Sequence, residues 1–488
     1  MREGKRGKRA CQQGKFGLWR DFEQYLEQLG LFRMRPGLER MAAVLSRLGL
    51  KRPPFFVVQG VGTNAKGSCC TFLASLARSH GLLCGLHTSP HFLSVRERIR
   101  LFKPSAYAGT YSGELLPEAA WLEAAGAVLA HGGENLTYFE LVTAMSVFMF
   151  REAKVEAAIM ETGLGGRFDA TTALDADVVF FTPIAVDHGD ILGFSLRGIA
   201  GDKALAMRGG KPAFSAAQRP EVRAELENVA ANLEVPLAFC PGADFLPPAL
   251  LPPVKEDAAG GKDSVRTGSA EVPLALRGRH QLDNAALSLF TWRAMRPLLG
   301  VREDQEAEIR GLAQAGIAGR LQFIAALPAA QGNLPHPPVI LDGGHNPHAL
   351  AALGHSLALL NIAPLVTVFT CLKDKQPDSL APHLRVLAPG LILTVQLAGN
   401  PRAMDAEELA RLIGPQAKPA ASMAEAIRLA NAEFAGRLPE ALNMDMNTCR
   451  RPLLVCGSLY LLAEFYRLYP HYLEGGEVIF TPVTTVQA

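Results

Sequence analysis

The residues Gly62-Thr63-Asn64-Ala65-Lys66-Gly67-Ser68 carry the strongest chemical signal in this chain, with the apolar run Phe55-Phe56-Val57-Val58 before them and a helix-like segment at 69–78 after them. A turn between a buried strand and a helix aims several backbone N–H groups at one spot, where the helix dipole also favours negative charge. Lys66 adds a mobile cation for terminal phosphates, and the Ser68 hydroxyl can meet a phosphate oxygen or a magnesium ion. The stretch therefore predicts a phosphate cradle. It departs from the standard Walker pattern at two places: Ala65 stands where glycine is usual, and Gly67 separates the lysine from the hydroxyl residue. If position 65 needs left-handed torsions, an alanine there costs roughly 1–2 kcal/mol.

Two further strand ends carry chemistry. The apolar run at 157–160 leads into Glu161 and the turn Gly163-Leu164-Gly165-Gly166, and the run at 178–182 ends near Asp187-His188. Glu161 can bind a cation at that turn or cap it. His188 can serve as a ligand or as a structural histidine.

These residues need a scaffold that brings strand ends together. Helical spacing at 22–48, broken by Arg35-Pro36-Gly37, delivers the chain to a strand at 55–59, and a second short strand at 83–87 completes a βαβ unit. Such a unit implies a parallel sheet with its ligand crevice at the carboxyl ends of the strands. A helix at 284–299 closes this half. Strand-helix alternation restarts near Gly319, with strands at 338–341, 366–369, 391–395 and 452–456. The expected division is a basic, flexible tail over 1–20, a first domain over 21–299 with a flexible insertion at about 244–272, and a second α/β domain over 300–488.

Composition narrows the class. The chain has 488 residues, 49% hydrophobic and 20% charged, with 46 Gly and 33 Pro, which suits an α/β enzyme rather than a disordered or coiled-coil chain. A net charge of +2 gives no support for nucleic-acid binding. No apolar run is long enough to span a membrane, so a cytoplasmic location is expected. Eight cysteines without paired metal-type spacing read as reduced thiols, with Cys69-Cys70 filling the first helical turn after the loop.

The ordered motifs resemble the folylpolyglutamate synthase and dihydrofolate synthase family of the Mur ligase superfamily. They are the loop at 62–68, Thr88-Ser89-Pro90-His91, Glu161-Thr162-Gly163-Leu164-Gly165-Gly166-Arg167-Phe168-Asp169-Ala170-Thr171, Asp187-His188, Gly278-Arg279-His280-Gln281 with Asn284-Ala285-Ala286, Gly319-Arg320-Leu321, the run from Leu341 to His348, and Gly457-Ser458-Leu459-Tyr460. The resemblance covers about residues 22–470. It implies a P-loop-containing Mur-ligase-type ATPase domain with a parallel-rich sheet, which also holds the pterin, and a smaller Rossmann-like α/β domain.

It also implies an activity: ATP-dependent addition of L-glutamate to dihydropteroate and to reduced folates through an acyl phosphate, with one or two Mg2+ ions, by a monomer. Gly62, Thr63, Asn64, Ala65, Lys66, Gly67 and Ser68, with Asn284, Arg320, Asp342 and His345, would hold ATP. Ser89, Glu161 and His188 would surround the magnesium. Lys203 matches a family lysine that is carbamylated and helps to place a second magnesium; otherwise it is an exposed helix lysine. Thr137, Phe139, Asp169 and Ala170 match the pattern of bifunctional members that bind dihydropteroate, Phe139 by stacking and Asp169 by accepting hydrogen bonds. Alternatively Phe139 is core and Asp169 a helix cap. Ser458 and Tyr460 match the glutamate side. A folate-only synthase, a peptidoglycan-precursor ligase and a non-catalytic nucleotide-binding regulator are the competing readings.

Overall fold

Short runs of apolar residues without charge, buried on both faces, become the inner strands of two sheets, as parallel sheets covered by helices require. The computed structural model describes residues 16–30, 35–104, 113–187, 189–251, 274, 276–328, 334–375, 377–439 and 449–473. The first sheet comprises β1 (Phe56–Val61), β2 (Cys84–His87), β3 (Ile99–Phe102), β4 (Glu114–Leu115), β5 (Ala157–Glu161), β6 (Val178–Phe181), β7 (Ala213–Ser215) and β8 (Leu237–Phe239), in the order β4-β3-β2-β5-β1-β6-β7-β8. From β2 to β8 the pairing is parallel.

The second sheet comprises β9 (Gln322–Ile324), β10 (Val339–Asp342), β11 (Val366–Phe369), β12 (Leu391–Val395), β13 (Ala417–Ala420) and β14 (Leu453–Cys456), in the order β13-β12-β11-β14-β10-β9. The α/β expectation holds, with antiparallel rims that periodicity did not reveal: β3 and β4 on one sheet and β9 on the other. These strands are too short to display an alternating pattern.

Register places the chemistry. Gly60 lies opposite Glu161, Val61 opposite Phe181 and His87 opposite Met160, so the loops leaving β1, β2, β5 and β6 emerge together at one edge. The helix Lys66–Ser79 is buried along nearly its whole length. On it packs the helix Gln305–Ala313, which a division at residue 300 assigns to the other half. Leu312 and Ala315 join the core around Leu76, and Arg293 pairs with the buried Glu308 at 2.7 Å. The helix Trp19–Leu29 likewise begins inside the expected tail, because Trp19 and Phe22 pack against Trp121. The rest of that tail (1–15) and most of the expected insertion (252–273) lie outside the described residues. No described helix is long and apolar enough to cross a membrane. The seven described cysteines are buried free thiols, and burial pushes Cys69 up to about 12.

Candidate active site

The loop after β1 has the shape its sequence implies. Gly62 has φ 153°, and a side-chain carbon there would sit 1.9 Å from the Thr182 hydroxyl, so no other residue fits against β6. Thr63 is tied to the neighbouring loop, its hydroxyl donating to the Ala185 carbonyl at 3.0 Å. Ala65 is left-handed, with φ 67° and ψ 0°, and caps the helix Lys66–Ser79. The strain anticipated for alanine is thus present. The first-turn N–H groups of that helix, those of Lys66, Gly67 and Ser68 among them, have no acceptor within it. Lys66 folds back onto its own loop, its Nζ donating to the Gly62 and Thr63 carbonyls at 3.1 and 3.2 Å.

Glu161 ends β5 and is 4% exposed, its Oε2 accepting the Ser89 N–H at 2.8 Å. Burial raises its pKa, against the opposing charges of Lys66, Arg320 and Arg98 and the Ser89 bond. Among the described residues it has no ion pair within 4.0 Å. Gly67 stands beside it: a side-chain carbon there would lie 3.7 Å from both carboxylate oxygens and only 3.3 Å from the Ile317 side chain. Lys203 is not the exposed helix lysine of the alternative reading. It is 3% exposed and its Nζ donates to the Gly62 carbonyl at 2.9 Å. Burial, helped by the Lys66 charge, pulls it down to about 7. His188 lies outside the described residues. No cluster of three His, Cys, Asp or Glu capable of holding a metal exists among the described residues. Glu161 supplies a hard oxygen donor, and the hydroxyls of Ser68 and Ser89 are donors of the same chemical type.

The second sheet meets this edge through the loops after β10 and β11. Asn64 and Asn346 exchange amide hydrogen bonds at 2.9 and 3.4 Å, and Asn346 Nδ2 also donates to Asp187 at 3.2 Å. Asp187 pairs with Lys375 at 2.5 Å and lies 3.6 Å from His345 Nε2. Asp342 accepts the Leu321 and Gly344 N–H groups at 2.9 and 2.8 Å, which fixes the Arg320 and His345 backbones. Asn284 is buried, its amide held by Gln281 at 2.9 Å, next to the start of the phosphate helix. Lys375 and Asn346 were not singled out as site residues from sequence. Their signal was their place just after parallel strands, where crevices form.

The expected pterin side is a set of caps around one aromatic ring. Thr137 and Glu140 form a reciprocal capping pair at the start of the helix Tyr138–Glu152, and Arg40 pairs with Glu140 at 2.9 Å. Asp169 caps the short helix Ala170–Ala173. Its carboxylate accepts Gly163 N–H, Leu164 N–H, Thr171 N–H and the Thr171 hydroxyl at 2.6–3.0 Å, which braces the glycine turn. Ala170 is buried beside it. Phe139 is half-buried, and a side-chain carbon on Gly163 would come 2.8 Å from its ring, so the turn lies flat against it. On the expected glutamate side, Ser458 is buried and caps the helix Leu459–Leu468. Tyr460 is half-buried, and burial raises its phenol above the usual range while the Arg402 and Arg98 charges oppose the rise.

Comparison with known proteins places the chain in a family. Residues 319–437 match the family described as Mur ligase, glutamate ligase domain. The chain is 30% identical over 457 residues to the Escherichia coli dihydrofolate synthase/folylpolyglutamate synthase, covering 93% of this chain and 96% of that one. It is 32% identical over 454 residues to a Halobacterium salinarum protein named probable bifunctional folylpolyglutamate synthase/dihydropteroate synthase, and spans about half (50%) of that longer relative. Among solved structures, E. coli FolC in complex with DHPP and ADP has a TM-score of 0.73 at 29% identity, with 93% of this chain and 97% of that chain covered. A bifunctional folylpolyglutamate synthase/dihydrofolate synthase with Mn, AMPPNP and L-glutamate bound has 0.71 at 29%, with 93% and 98% covered. By sequence over nearly its full length and by fold, the chain belongs to the dihydrofolate synthase/folylpolyglutamate synthase family.

Proposed function

We propose that this chain is an ATP-dependent ligase that joins L-glutamate to dihydropteroate and to reduced folates, acting as both dihydrofolate synthase and folylpolyglutamate synthase. The observation that carries the reading is the convergence at one sheet edge of the Ala65-capped loop, the unpaired buried Glu161 and the buried amine of Lys203, faced by Arg320 and Asn346 from the second sheet.

The chemistry explains the charges. A carboxylate is a poor electrophile at neutral pH. Transfer of the γ-phosphoryl group onto it gives an acyl phosphate, and attack by the α-amine of glutamate gives a tetrahedral intermediate that expels phosphate. Lys66 exchanges its carbonyl partners for phosphate oxygens, the first-turn N–H groups fix the chain of phosphates, and Arg320 balances charge from the opposite wall. Glu161 and the Ser68 and Ser89 hydroxyls would hold Mg2+, which neutralises phosphate charge when bound. Phe139 and the braced turn at Gly163 offer a flat wall for the pterin. Lys203, pulled down to about 7, has the neutral amine that carbamate formation needs, and activity should then rise with bicarbonate.

The test supplies purified protein with ATP, magnesium and labelled glutamate, together with dihydropteroate, tetrahydrofolate or a muramyl peptide precursor. Incorporation with both pterins is expected and none with the muramyl substrate. Failure with both pterins would overturn the reading.

A further inference from the structure

Arg98 closes the single-turn helix Val95–Arg98 just before β3 and is 4% exposed. Its carbonyl accepts the Thr88 N–H at 2.9 Å, which ties it to the loop that carries Ser89. Its Nε donates to His91 Nδ1 at 2.8 Å, and its guanidinium lies over the Tyr138 ring, 5.2 Å from the centroid. Neither contact neutralises it. Among the described residues no carboxylate comes within 4.0 Å of Arg98. Its neighbour Glu97 is committed elsewhere, accepting the N–H groups of Phe92, Leu93 and Ser94 at 2.7–2.8 Å. Buried charges elsewhere do find partners: Arg40 pairs with Glu140 at 2.9 Å and Lys375 with Asp187 at 2.5 Å, whereas Arg98 shares its unpaired state among the described residues with Glu161 and Lys203.

Arg98 also stands at a junction. The groups close enough to act on its charge are Tyr138 on the pterin side, Tyr460 on the glutamate side, Glu161 at the phosphate loop, and Glu97. A guanidinium is permanently charged, and its planar fork matches a carboxylate with two parallel hydrogen bonds. Here the Nη groups make no hydrogen bond among the described residues, while Nε is anchored by His91. The side chain is thus held in one orientation with its fork unused.

We infer that Arg98 receives a substrate carboxylate at the meeting point of the three subsites. The inference rests on the ligase reading, in which the acyl donor and the incoming amino acid both carry carboxylates. Arg98→Met and Arg98→Lys are compared with the wild type by varying glutamate, dihydropteroate and ATP in turn, with thermal unfolding alongside. The Met variant should raise KM for one carboxylate substrate by about 10- to 100-fold, the usual cost of losing a hydrogen bond to a charged group. KM for ATP should stay put. The Lys variant should not rescue, since an ammonium cannot offer the fork. Tm should hold or rise, because an unpaired buried charge is removed.

A rise confined to glutamate assigns the site to the amino acid, and one confined to dihydropteroate assigns it to the acyl donor. Unchanged KM values, or a common loss of activity with falling Tm, would overturn the inference. Equilibrium binding of glutamate and of dihydropteroate in the absence of turnover keeps the two readings apart. If the wild type binds either carboxylate but ligates nothing, the ligase reading fails. If the wild type and Arg98→Met bind both equally, the Arg98 assignment fails.

Discussion

Buried charges in this protein fall into two sets. Away from the phosphate loop, Glu308 is 1% exposed and held by three hydrogen bonds from Arg293, and Glu140 is matched by Arg40. At the edge where β1, β2 and β5 end, Glu161, Lys203 and Arg98 are equally buried and have no ion pair among the described residues. Burial of an unpaired charge is costly, and structural sites avoid it. The first set holds helices together. The second is where an ionic ligand would complete the pairing. Asp187 with Lys375 belongs to the first set by geometry, yet it joins the two sheets across the cleft mouth.

The comparison can be broken by experiment, beginning with the largest effect. Lys66→Ala should lower turnover by about a thousandfold or more while leaving thermal unfolding nearly unchanged; wild-type rates would remove the phosphate-loop assignment. Glu161→Gln should cost about 10²–10³ in kcat, with Tm equal or higher, because a buried carboxyl without an ion pair is neutralised. Glu308→Gln should behave oppositely: stability falls by about 2–4 kcal/mol in denaturant titrations, and activity per folded molecule persists. Equal behaviour of these two variants would erase the distinction between the sets.

Smaller effects sharpen it. His336 lies buried among Tyr469, Tyr472 and Phe465, and burial pulls it down to about 4. The unfolded chain therefore takes up a proton first as pH falls. Stability is fully present above about 6.5 and is lost between there and about 4, by about 2–4 kcal/mol. His336→Gln should flatten that acid limb in unfolding measured against pH. Ala65→Gly should relieve the left-handed strain and raise stability by about 1 kcal/mol, without weakening ATP. A loss of stability there would show that the alanine is accommodated at no cost.

Much of this was legible in the chain because the site sits at strand ends. Uncharged apolar runs identified β1, β2, β5, β6, β10, β11, β12 and β14, and residues following β1, β2, β5, β6, β10 and β11 are brought together. Ala65, standing where glycine is usual, is strained if its torsions are left-handed, and its φ of 67° meets that condition. What remained hidden depends on packing between distant segments. Nothing local distinguishes Lys203 from a surface lysine until Gly62 and the turn at Gly166 enclose it. Asp169 can cap or bind equally well by residue type, and only the fold shows its four bonds. Arg98 and Lys375 lie in charged stretches that look solvated, Arg96-Glu97-Arg98 and Lys373-Asp374-Lys375, and the fold buries Glu97 and Arg98 of the first and Lys375 of the second.

The central claim is that the unpaired charges at this edge serve phosphoryl transfer to a carboxylate. Dihydropteroate labelled with ¹⁸O in its carboxylate tests it most directly, with the inorganic phosphate released during glutamate addition analysed by mass spectrometry. The acyl-phosphate route transfers one carboxylate oxygen to each phosphate, so phosphate carrying one ¹⁸O is the predicted product. Unlabelled phosphate formed together with the glutamylated product would contradict the account.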